Sequence, residues 1–121
     1  MSKPIPDLQL FNDLCAVEDT LMECGWCKGR AQDDNGRVCL IGAAAQLCGV
    51  SFEYDDQTKD YRRYRNIIDA VATEIRKRPP TKHQNNCETW ACTDIAAFND
   101  NPNTTIEDVR GKLREAREAL L

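Results

Sequence analysis

Cys24 and Cys27 form a Cys-x-x-Cys pair, and Cys39 stands twelve residues further on, beyond an Asn35-Gly36 turn signal. Thiols in such a cluster serve three kinds of chemistry: zinc coordination, dithiol exchange and nucleophilic catalysis. A zinc site would use Cys24 and Cys27 with partners drawn from Cys39, Cys48 or the Cys87/Cys92 pair. Structural zinc commonly uses two Cys-x-x-Cys knuckles, and this chain has one. Dithiol exchange needs a lowered thiol pKa, usually supplied by a helix N-terminus. Cys24 and Cys27 fall instead at the end of a predicted helix, where the macrodipole opposes a thiolate. Cys39 opens a predicted helix and is the candidate nucleophile, with His83 as base and Asn99 or Asp100 as the orienting group. His83 is the only histidine and lies in a polar stretch at 79–86. Cys39 leads into an Ala-rich segment where a small core residue is expected.

Other residues are candidates for binding. Trp26 and Trp90 could form ligand platforms, although tryptophans more often cover a core and find one acceptor for the indole N–H. Asn99 and Asp100 are polar candidates for the same ligand, and their local chemistry predicts Asx-type turns ahead of the last helix. Arg62, Arg63 and Arg65 form a basic run that could meet an acidic partner, or simply a solvated helix face. Asp33 to Gly36 lack the spacing and bidentate glutamate of a calcium loop. No glycine-rich phosphate-binding loop occurs, and no cofactor is expected.

Positioning these residues requires a mainly α fold. Asp7 caps a helix over 7–24, striped by Leu10, Leu14, Val17 and Leu21 and ended by Gly25. The Asn-Gly turn predicts a short β-hairpin over about 27–39, weak at Gly29 and needing cover from helices. Residues 40–48 read as a short buried helix stopped by Gly49, and an acidic loop follows at 52–56. A helix over 58–77 carries Tyr61, Tyr64, Ile67, Ile68, Val71 and Ile75 on one face and ends at Arg78-Pro79-Pro80. A further helix spans 88–98. Thr105 and Asp108 resemble a capping box for a last helix striped by Val109, Leu113, Ala116 and Leu120. About five helices around a small core, with one hairpin, form a single domain over residues 1–121, preceded at 1–6 by an extended Pro4/Pro6 arm.

The 121 residues suit one domain. No apolar run approaches the roughly 18 residues of a membrane span, and the N-terminal residues lack a signal-peptide core. Seven cysteines, an odd count, argue against a disulfide framework. These features predict a cytoplasmic protein with mostly reduced, buried thiols. A net charge of −4 opposes general nucleic-acid binding. Charge is nevertheless uneven: residues 59–82 sum to +5 and residues 1–58 to −6. Tyr61, Tyr64 and the arginines could line a homodimer seam as readily as a core contact.

Gly25-Trp26, Asn35-Gly36-Arg37, Cys39 to Ala43, Phe98-Asn99-Asp100 and Thr105 to Val109 follow one another in a distinctive order. In these landmarks the chain resembles a family of small uncharacterised proteins of bacteria and their phages, the domain of unknown function numbered 6197. The resemblance spans roughly residues 10–120 and is weakest across the middle helix and its Pro-Pro loop. Members do not need the cysteines at 24 and 27. The resemblance implies a shared fold and a phage-associated setting, not a reaction. With the small size and the lack of a convincing catalytic set, it leads to a non-enzymatic binding protein, phage-encoded or phage-associated, that engages a host protein or sequesters a small ligand. A cysteine-dependent hydrolase using Cys39 and His83, and a zinc-stabilised interaction module using Cys24 and Cys27, are the alternatives.

Overall fold

The computed structural model describes residues 7–50, 59–76 and 87–121, with side chains described for all of these except 59–60 and 87–92. The expected arm at 1–6, the acidic loop, the loop bearing His83 and the side chain of Trp90 therefore lie outside the described residues. Five helices are formed among them: α1 (Leu8–Cys24), α2 (Leu40–Cys48), α3 (Lys59–Arg76), α4 (Cys87–Asp100) and α5 (Ile106–Glu118). None is long and apolar enough to cross a membrane.

The starts of α1, α2 and α5 each have a chemical cause. The Asp7 carboxylate accepts the Leu10 N–H at 3.0 Å, satisfying a donor that the first turn of α1 cannot use internally. Thr105 and Asp108 close a reciprocal capping box on α5. The stripes then bury Leu14, Val17 and Leu21 of α1 against Tyr64, Ile67, Ile68 and Val71 of α3 and Val109 and Leu113 of α5, in one shared core. Each such side chain is fully enclosed, a contribution of about 1.5–3 kcal/mol apiece. Tyr64 is 1% exposed and thus a core residue, with Tyr61 half-buried beside it at a ring separation of 6.0 Å.

Residues 25–39 differ from the hairpin that the Asn-Gly signal predicts. Only isolated bridges form, Gln32 with Val38 antiparallel and Trp26 with Val38 parallel. Val38 is pulled two ways. Its N–H bonds to Gly25 O and its carbonyl accepts from Cys27 N on one edge. Asp33 N–H to Arg37 O and Cys39 N–H to Ala31 O flank the Gln32 bridge on the other, and the pairing stops there because Leu40 enters α2. The turn itself is organised by Asp33. Its carboxylate accepts the N–H groups of Asn35 and Arg37 and pairs with the Arg37 guanidinium at 2.6 Å. Gly36 follows at φ +82°, the positive region that favours glycine.

Ala31 seats this loop on α2, its carbonyl accepting the Cys39 N–H at 3.1 Å. A Cβ at Gly42 would lie 1.9 Å from that same oxygen, so the close approach of loop and helix depends on glycine there. α4 runs two residues beyond its expected end, taking in Asn99 and Asp100. The Asx turn that those residues predict is made instead by Asn101, whose side chain accepts the Asn103 N–H.

Candidate functional site

Asn99 lies four residues after Ile95 on α4 and therefore on the same helical face, turned into the protein. It is 1% exposed, and its side chain makes four hydrogen bonds. Oδ1 accepts the indole N–H of Trp26 at 2.7 Å and the backbone N–H of Leu40 at 3.3 Å. Nδ2 donates to the Cys27 carbonyl at 3.1 Å and to Asp100 Oδ1 at 3.0 Å. One amide thereby ties α4 to the start of the loop that leaves α1, at Trp26 and Cys27, and to the first turn of α2. Burying an amide costs several kcal/mol unless every donor and acceptor finds a partner, and here they do. Asp100, exposed on the next position, receives the Gly29 N–H on Oδ1 at 2.8 Å. Lys28 crosses the Trp26 ring at 5.1 Å and donates to the Asn101 carbonyl at 2.7 Å.

Beside this joint opens a recess of about 210 Å³. Gly29, Arg30 and Ala31 form one wall, Cys39 and Ile41 a second, and Ala96 and Asp100 the third. Its lining is mostly apolar.

Cys39 is the N-cap of α2, and its sulfur accepts the Gly42 N–H at 3.3 Å, the role a serine or threonine oxygen plays elsewhere. Burial pushes its thiol pKa up, and the nearby Cys27 and Asp100 add to that. The N–H groups of Gly42 and Ile41 pull the other way without reversing it. A thiol in this state is protonated at neutral pH, whereas nucleophilic attack requires the thiolate. Asn99, the orienting group of the hydrolase reading, is engaged by the joint, and His83 lies outside the described residues.

Cys24 and Cys27 turn to different partners. The Cys24 sulfur receives the Gln46 side-chain amide at 3.6 Å, and the Cys27 thiol lies 3.4 and 3.3 Å from the carbonyls of Arg30 and Arg37. Burial, with the Asp33 charge, raises the Cys27 thiol pKa. Among the described residues no three His, Cys, Asp or Glu side chains converge as a metal site would require.

The three arginines also part company. Arg63 grips the buried Asp13 carboxylate with two contacts, at 2.8 and 3.2 Å, linking α3 to α1. Arg62 is exposed, and the Arg65 Nε is enclosed without a hydrogen-bond partner. Trp26, half-buried against the core, gives its indole N–H to Asn99.

Lys28, Gly29, Ala31, Ile41 and Ala96 were not singled out by sequence reasoning. The Ile95-to-Asn99 spacing was the available signal, a polar residue on an apolar stripe. The recess itself has no local signature, because its walls come from three separated segments.

Trp26, Cys39, Gly42, Asn99 and Asp100, all landmarks of the resemblance noted from the sequence, surround this joint and recess. No curated protein and no solved structure matches the chain. A family described as one of unknown function matches residues 8–119, nearly the whole chain, and the protein therefore belongs to that family, DUF6197.

Proposed function

We propose that this is a non-enzymatic cytoplasmic binding protein that holds a small ligand in the recess between the 29–31 segment, α2 and α4. The observation that carries this reading is an open apolar recess of about 210 Å³ set against a hydrogen-bonded joint. Small-molecule sites are typically concave and apolar with a few fixed polar groups at the edge. Engineered cavities of about 150 Å³ take benzene, so the recess suits a ligand of only a few more atoms. The neutral, helix-capping state of Cys39 supports binding over nucleophilic chemistry.

The test is a fragment titration followed by amide NMR. Shifts confined to residues 29–31, 39–41, 96 and 100, and abolished when Ala96→Leu fills the recess, are expected. Fragments that perturb no amide there, or only amides elsewhere, overturn the reading. Rapid alkylation of Cys39 by iodoacetamide at neutral pH would favour thiol chemistry instead.

A further inference from the structure

We propose that the recess selects a small amine, an ammonium group on a compact apolar body, and rejects carboxylates and phosphates. The inference rests on the recess being a ligand site and adds the charge of its occupant. Asp100 lies on the wall of the recess with its carboxylate held by two donors, Gly29 N–H at 2.8 Å and Asn99 Nδ2 at 3.0 Å, both on Oδ1. Its second oxygen carries no hydrogen bond, and no cation pairs with Asp100 among the described residues. A fixed negative charge thus stands beside an apolar space. Desolvation by a ligand strengthens its attraction for a cation, and an N–H from an ammonium can reach the open oxygen as a charge-assisted bond.

Two cations stand nearby, Lys28 and Arg30, and neither is bonded to Asp100. Lys28 gives its ammonium to the Asn101 carbonyl over the Trp26 ring. Arg30 has its guanidinium drawn to Asp34 at 3.6 Å. The start of α2, which would otherwise attract anions, has two of its donors taken, and the Ile41 N–H lies toward the Cys39 sulfur. The Leu40 N–H is bonded to Asn99 and the Gly42 N–H to Cys39. An incoming carboxylate would find the Leu40 and Gly42 donors already occupied and would face Asp100. The chain's net charge of −4 acts in the same direction at longer range.

Isoamylamine, isoamyl alcohol and isovalerate share one apolar body and differ in charge, so titrating each against the full chain by amide NMR isolates the electrostatic part. The amine is expected to bind at least about tenfold more tightly than the alcohol, as one charge-assisted bond allows, with the acid weakest. Asp100→Asn keeps an oxygen acceptor for Gly29 but removes the charge, and should bring the amine down to the affinity of the alcohol. Raising salt should weaken the amine alone, a readout that needs no variant. Equal binding of amine and alcohol, or preference for the acid, overturns the charge inference while leaving the ligand site standing. If none of the three, and no other fragment, perturbs the recess, both readings fall.

Discussion

Two of the polar devices that link distant parts of this chain are built on opposite terms. The Asn99 joint centres on an uncharged, enclosed amide, which makes four hydrogen bonds, three to segments 59 to 73 residues away and one to its neighbour Asp100. The second device clasps α1 to α5. Glu18 receives Arg110 Nε at 2.8 Å and Arg117 Nη1 at 2.7 Å, at side-chain exposures of 13–29%. Neutral groups in the interior stabilise only if fully paired, and removing one partner leaves the others stranded. Charges near the surface keep part of their hydration and lose less when parted, but respond to salt and acid. The joint should therefore govern how stable the protein is, and the clasp how that stability varies with conditions.

The sharpest way to break this contrast is Asn99→Leu. It strands the Trp26 indole N–H, the Leu40 N–H and the Cys27 carbonyl, and should cost about 4 kcal/mol in urea unfolding. That loss should be the same at low and high salt; a loss that shrinks with salt would mean the joint is electrostatic after all. Gly42→Ala comes next, at about 3 kcal/mol, because its methyl must displace the Ala31 carbonyl that seats the loop on α2. Equilibrium unfolding of this variant within 0.5 kcal/mol of the parent, on the order of a surface substitution, would show the loop to be free to shift.

Trp26→Phe tests a single arm of the joint. It removes one donor while Asn99 keeps its bond from Leu40, so a loss of about 1–2 kcal/mol in the same assay is expected. Glu18→Gln should have the smallest effect, a fall of a few degrees in melting temperature that narrows as salt is added. Burial works against ionisation of Glu18, but its hydrogen bonds to Arg110 and Arg117 and their charges outweigh this and lower its pKa below 4.5. Its contribution is then fully present above that ordinary value and is lost as pH falls through the lowered one. The variant should flatten the acid limb of the melting profile. Asp33, whose pKa is also lowered, retains its own part of that limb.

The helices were legible because their causes are local. Leu14, Val17 and Leu21, the Thr105/Asp108 box and the Gly49 stop each act within a few residues. The loop was less so. Asn35-Gly36 does mark a turn, but the pairing beyond it stops at a single antiparallel bridge because the chain enters α2 at Leu40, a limit set by where the next helix begins. The end of α4 was read short for a related reason. Asn is a helix-terminating residue when its side chain competes for nearby backbone groups. At position 99 that side chain is occupied across the fold, so the helix continues. Of the candidate site residues, Trp26, Cys39, Asn99 and Asp100 do gather in one place, yet the recess they border was invisible, since sequence spacing carries no information about empty space between segments.

The reach of the Asn99 bonds also has a consequence in time. Helical turns close within a few residues and can form early, whereas a contact spanning 59 to 73 residues must wait until most of the chain has collapsed. The joint, like the Glu18 clasp that spans 92 and 99 residues, should therefore assemble late, absent from the folding transition state. Interactions of that kind scarcely affect how fast a chain folds; they set how slowly it opens. A single buried amide would then act as a latch on the lifetime of the native state.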